Sequence, residues 1–217
     1  MIFPHPLLSK KDGFLAYGGD LLPETILTAY RWGIFPWYSE PPILWWFTHP
    51  RCVLIPKKVK ISKSMRSFLK KNTLHITTDQ CFEKVVKECA QVKRQGQETT
   101  WISEEIIEAY SNMHKLGYAH SIEVWDDNVL VGGLYGLALG KIFYGESMFS
   151  KVSNASKYAL ISLCDILDCK GFHLIDCQQE TNHIISMGAE LFSKEKFFKK
   201  IKNNFQFEDL VGKWVQK

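Results

Sequence analysis

The chain has 217 residues, 46% of them hydrophobic and 23% charged, and a formal net charge of +4. That length supports one domain, or a small one beside a larger one, and the charge is too small to name a partner by itself. No apolar run is long enough to span a bilayer and no basic-then-apolar segment opens the chain, so a cytoplasmic protein without membrane attachment is expected; the six cysteines form no CxxC pair, so reduced thiols and no metal are expected.

From Pro4 to Pro56 the chain is dense in proline, glycine and tryptophan, with one clear helix, PETILTAYRWG, whose Pro23 fits the first turn and whose Gly33 stops it. In ISKSMRSFLKKN, Ser62 can cap a helix that carries Lys63, Arg66 and Lys70 on one face, with Lys71 beside them. That face suits a phosphate backbone, and a plain solvated face explains the same charges. Thr78 to Ala90 has Phe82, Val85, Val86 and Cys89 at helical spacing, and Ser103 to Gly117 repeats the pattern with Ile106, Ile107, Tyr110 and Met113.

The block HSIEVWDDNVLVGGLYGLALGKIFYGESMF reads as an antiparallel meander broken at Asp126-Asp127-Asn128 and at Gly140-Lys141. Strand-like residues flank its glycines on both sides, which excludes a phosphate loop joining strand to helix. A helix capped by Asn154 and running to Lys170 is predicted next, then the buried strand FHLIDC, a short helix around Asn182 to Met187, and a last helix from Lys194. The basic run in that last helix reads as a solvated face.

Three polar residues stand out on strands. Glu146 sits between aromatic residues beside Gly145, and a buried carboxylate is costly unless it has a use. Asp176 and Gln178 end another strand, and alternation puts them on one face with Cys177 on the other. A Cys177 nucleophile with His183 as base is therefore geometrically disfavoured. Trp37, Tyr38, Trp45, Trp46 and Trp101 supply rings that can stack unpaired bases or plug a domain interface, and both readings stay open here.

The strings GFLAYGGDL, AYRWGIFPWY, PILWW, TWI, AHSIEVW, LVGGLYG, FYGESMFS, NASKYAL, LIDCQ and SMGAE, in that order over nearly the whole chain, resemble the leucyl/phenylalanyl-tRNA–protein transferase family. The resemblance implies an α+β fold, with a small irregular N-terminal domain over residues 1–60 and an acetyltransferase-like (GNAT) mixed sheet with helices on its faces over residues 61–217. It implies a monomeric enzyme, without cofactor, that takes Leu or Phe from leucyl-tRNA or phenylalanyl-tRNA and places it on the amino-terminal Lys or Arg of a protein, marking that protein for degradation. An acyl-CoA-dependent N-acetyltransferase of the same fold is the alternative, although no pyrophosphate-binding turn precedes the helix at Asn154.

Carried onto this chain, the resemblance makes Asp176, Gln178 and Glu146 catalytic: both carboxylates hold the cationic acceptor residue, and Gln178 aligns the amine. Leu134, Phe143 and Leu160 line the pocket for the aminoacyl side chain. Trp37 and Trp101, with Tyr110 nearby, stack the 3′ adenosine, while Lys63, Arg66 and Lys70 hold the tRNA backbone. The chain departs from the family at WFTHPR (Trp46 to Arg51), at ELFSK (Glu190 to Lys194), and at Lys151, where arginine is common.

Overall fold

The structure is a computed structural model describing residues 1–92 and 100–214. Its opening segment is more regular than its composition suggests. Strands β1 (Phe14–Tyr17), β2 (Phe35–Pro36) and β3 (Leu44–Trp46) form a three-stranded antiparallel sheet in the order β1-β3-β2. Strands this short, bordered by prolines, show no alternation in sequence. Helix α1 (Pro23–Arg31) lies between them as predicted and ends where Gly33 turns at φ 73°.

β4 (Arg51–Leu54) is buried at every residue and belongs to a second, larger sheet, although it lies within the first sixty residues. After it come α2 (Lys63–Lys71), β5 (His75–Thr78), α3 (Phe82–Ala90) and α4 (Glu104–Lys115). Ser62 caps α2 by accepting the Met65 N–H at 3.1 Å, and Ser103 caps α4 in the same way. The meander is β6 (Ala119–Asp126), β7 (Val129–Leu139) and β8 (Ile142–Ser150). Then come α5 (Ala155–Cys169), β9 (Leu174–Gln178), α6 (Asn182–Ser186), β10 (Glu190–Phe192) and α7 (Lys194–Asn204). Asn154 does not cap α5 with its side chain as expected: it turns the chain at φ 69°, and Ser150 Oγ accepts the Ser156 N–H instead.

The larger sheet has seven strands in the order β10-β4-β9-β8-β7-β6-β5, antiparallel throughout except for the β8/β9 pair. Its two faces bury separate apolar clusters. Residues of α1, α3, α4 and α7 cover one, and residues of α2, α5 and α6 cover the other. This is the expected α+β architecture, a mixed sheet with helices on both faces.

Two irregularities break the centre of this sheet. The β7/β8 register passes from Tyr135↔Ser147 to Gly136↔Gly145, so Glu146 is the extra residue of a β-bulge, a device that re-aims one side chain out of the alternation. Gly136 makes the bulge possible, because a Cβ there would overlap the Tyr144 carbonyl oxygen and stand 2.6 Å from the Phe143 ring. Secondly, β8 and β9 run in parallel only from Ile142↔Leu174 to Tyr144↔Asp176. Beyond that pair they separate, and sites in such sheets gather where neighbouring strands part at their carboxyl ends.

Candidate active site

The gap between β8 and β9 is the mouth of a cavity of about 570 Å³. Glu146, Gln178, Leu134, Phe143, Leu160, Trp37 and Trp101 all line it. Of the residues expected around the substrate, only Asp176 and Tyr110 are missing from its wall. Residues from both sheets thus converge on one space: Trp37 follows β2, Leu134 is on β7, Phe143 and Glu146 on β8, Leu160 on α5 and Gln178 on β9.

Glu146 is 9% exposed, and every hydrogen-bond partner found for it is neutral. Its Oε1 accepts from Tyr30 Oη at 2.7 Å and from Gln178 Nε2 at 2.9 Å, and its Oε2 accepts from Tyr110 Oη at 3.1 Å. The two phenol oxygens lie 2.5 Å apart. No described residue forms an ion pair with Glu146. Burial raises its pKa to about 7, against the pull of the tyrosine hydroxyls. Burial and then the Glu146 charge hold both tyrosines well above the ordinary phenol range, so they remain O–H donors.

Tyr110 therefore has a different place from the one expected. Its ring is fully buried, edge-on to Tyr30 and Tyr135, and no base can stack on it in this arrangement; its hydroxyl positions Glu146 instead. Trp37 and Trp101 are half-buried and keep a face toward the cavity. Replacing Trp101 with Ala should weaken binding of a nonhydrolysable aminoacyl-adenosine analogue by about 1–3 kcal/mol, as one lost base-stacking platform does. Calorimetric titration checks this, and an unchanged affinity removes Trp101 from the site.

Asp176 also differs from expectation, since it is fully buried and paired with Arg51. Arg51 Nε and Nη2 donate to its two carboxylate oxygens at 2.8 and 2.7 Å, while Nη2 also donates to Gly33 O at 2.9 Å and Nη1 to Thr48 Oγ1 at 3.2 Å. The rings of Phe35, Phe47 and Phe197 surround the guanidinium. A bidentate pair this enclosed leaves Asp176 no free face for a substrate cation. It serves Gln178 instead: Oδ1 accepts the Gln178 N–H at 2.9 Å and fixes that residue at φ 59°, a conformation few non-glycine residues adopt. Its amide nitrogen donates to Glu146, and among the described residues none donates to its side-chain carbonyl oxygen, which can take a substrate N–H.

At the apolar end of the cavity Leu134, Phe143 and Leu160 are each at most 3% exposed and pack in one cluster. Cys177 is disfavoured as a nucleophile, because its contact with Cys52 and its burial hold its thiol pKa well above the ordinary value. On α2, Lys63, Arg66 and Lys70 are exposed, and among the described residues none of them forms an ion pair, while Met65 faces the core. Charge removal there should flatten the salt dependence of tRNA binding by about one unit of slope per side chain. An unchanged slope in a filter-binding series returns the face to ordinary solvation. Of the departures, Lys194 ties down the amino-terminal segment by donating to Leu7 O and Ser9 O, and Lys151 pairs with Glu88.

Sequence reasoning missed Tyr30 and Arg51. Tyr30 lies in AYRWGIFPWY, one of the strings that carry the family resemblance, which was the available signal for it, whereas Arg51 ends WFTHPR, where the chain departs from the family. A profile described as leucyl/phenylalanyl-tRNA protein transferase matches residues 53–202, and one for the N-terminal domain of that family matches residues 19–49. The leucyl/phenylalanyl-tRNA–protein transferase of Syntrophobacter fumaroxidans is 52% identical over 205 residues, covering 94% of this chain and 88% of its own. That of Syntrophus aciditrophicus is 51% identical over 215 residues, covering 99% and 90%. Among solved structures, an aminoglycoside acetyltransferase from an uncultured soil metagenomic sample overlaps 68% of this chain and 97% of its own, with a TM-score of 0.40 and 13% identity.

Proposed function

This chain belongs to the leucyl/phenylalanyl-tRNA–protein transferase family and is an aminoacyltransferase, and we propose that the Glu146–Gln178 cavity is where it moves Leu or Phe from aminoacyl-tRNA to the amino-terminal Lys or Arg of an acceptor protein. The observation that carries this reading is the meeting, in one cavity, of an apolar end at Leu134, Phe143 and Leu160 with a buried carboxylate and a fixed amide. Two half-exposed indoles at its wall suit the 3′ adenosine, and the α2 face suits the acceptor-stem phosphates.

The ester joining an amino acid to tRNA is already activated, so alignment supplies much of the rate. The α-amine of the acceptor attacks the ester carbonyl directly: the C–N bond forms, the C–O bond to the ribose breaks, and the amine's proton leaves with the ribose oxygen. Gln178 Oε1 accepts a hydrogen bond from the attacking amine and orients its lone pair. Glu146 is the anion that holds the cationic acceptor side chain. Asp176, its charge occupied by Arg51, acts by positioning Gln178. Residues 1–60 supply Tyr30, Trp37 and Arg51, and residues 61–217 supply the rest.

On this reading the protein acts as a monomer in the cytoplasm and marks its acceptors for degradation. No described helix is long and apolar enough to cross a membrane. Incubation with leucyl-tRNA and a peptide beginning with Arg should give a product heavier by one leucine residue. A product formed only from acetyl-CoA, heavier by one acetyl group, would instead establish the acetyltransferase reading.

A further inference from the structure

Cys52 and Cys177 lie on neighbouring antiparallel strands. The β4/β9 register passes from Cys52↔Gln178 to Val53↔Asp176, which makes Cys177 the extra residue of a second bulge, opposite Cys52. Neighbouring strands lie about 4.7–4.9 Å apart, and a disulfide spans Cα atoms about 4.4–6.8 Å apart. Both side chains pack in the same apolar cluster, where the two thiols shift each other's ionisation, and Cys177 Sγ donates to Ile175 O at 3.9 Å. Cys177 lines the active-site cavity, whereas Cys52 is fully buried behind it. Of the four remaining thiols, Cys164 is 1% exposed on α5, Cys169 is exposed at the far end of the same helix, Cys89 is buried on α3 and Cys81 is half-buried just before it.

We infer that Cys52 and Cys177 are an oxidisable thiol pair whose disulfide draws the β9 bulge onto β4, moves Gln178 off Glu146 and closes the transfer site. The effect on transfer rests on the proposed roles of Gln178 and Glu146. The contact lowers the pKa of Cys52 and raises that of Cys177, so the pair loses its first proton at Cys52. A peroxide entering the cavity reaches the pair past Cys177. The Cys52 thiolate attacks one peroxide oxygen, the O–O bond breaks, and hydroxide leaves a sulfenic acid on Cys52. Hydroxide takes the proton of Cys177, whose sulfur then displaces the sulfenic hydroxyl group, which leaves as water with the proton first released by the pair. Two thiols and one peroxide thus become one disulfide and two waters.

Gln178 follows Cys177 directly and makes its 2.9 Å bond to Glu146 from a strained backbone. A shift of about 1 Å in a positioning group can cost about a hundredfold in rate. Reduced protein treated with stoichiometric hydrogen peroxide, then alkylated and digested, should yield a linked peptide joining Cys52 to Cys177, and transfer should fall about a hundredfold, both reversed by dithiothreitol. Cys52→Ala should keep basal activity and give no such link. A link from Cys177 to Cys164, or no link at full oxidation, overturns the pair. A Cys52–Cys177 link with undiminished transfer overturns its effect on the site. Because the link is read by mass alone, its failure is distinct from failure of the proposed reaction.

Discussion

Replacing Glu146 with Gln should leave the fold intact and lower kcat/KM for a peptide beginning with Arg by about 2–5 kcal/mol, the usual cost of removing one partner from a buried charged contact. A peptide beginning with Ala, which brings no cation, should lose little. The shape of the pH profile is the sharper readout. With its pKa raised to about 7, Glu146 is an anion only above that pH, and the acceptor amine, titrating at about 7.7–8.0, must be neutral to attack. In wild type log kcat/KM should therefore rise with a slope of two below pH 7, then a slope of one, then level off. The variant should keep only the single slope of the amine.

Stability should move the opposite way. The folded pKa of Glu146 lies above its ordinary 4.5, so the native state holds a proton that the unfolded chain has released between about pH 4.5 and 7. That stability is present below 4.5 and is lost as pH rises through 7, at about 1.36 kcal/mol per unit. Gln at 146 mimics the protonated acid, so the variant should be more stable than wild type at pH 8, by up to about 3 kcal/mol, and no more stable at pH 4. Unchanged kinetics with a lowered melting temperature at pH 8 would make Glu146 a structural group.

The second large effect is expected at Arg51. Arg51→Met removes the cation from a fully buried carboxylate and should cost about 3–5 kcal/mol in denaturant unfolding. The double variant Arg51→Met with Asp176→Leu removes both charges and should recover most of that stability, since a buried pair replaced by apolar groups is often neutral. It should not recover transfer, because the Gln178 N–H then has no carboxylate to hold it in its left-handed conformation. A double variant as active as wild type would show that Asp176 and Arg51 serve the fold alone. A single variant as stable as wild type would contradict the buried pair itself.

Much of the fold was legible in sequence because it is local. Ser62 announces its helix by capping, α3 and α4 by their apolar spacing, the meander shows its alternation, and Glu146 stands out as a charge among strand residues. What was not legible depends on pairing across the fold. The bulge that turns Glu146 out of alternation is a property of two strands together, and one strand's sequence does not contain it. Arg51 and Asp176 meet across 125 residues, so Asp176 read as an unclaimed anion. Tyr110 was read by its ring, at the right site but in the wrong role, because only the packed structure shows its hydroxyl turned to Glu146. Gln178 stood out as an aligning group, yet its strained backbone, set by Asp176, has no sequence signature.

A crystal structure with a nonhydrolysable amide analogue of phenylalanyl-adenosine puts the whole arrangement to a direct test. The phenyl ring should lie among Leu134, Phe143 and Leu160, the adenine against Trp37 and Trp101, and the carbonyl carbon beside the gap between β8 and β9, with the Gln178 Oε1 free for an incoming amine. An analogue bound outside this cavity, with the cavity itself empty at saturation, would contradict the assignment of aminoacyl transfer to Glu146 and Gln178.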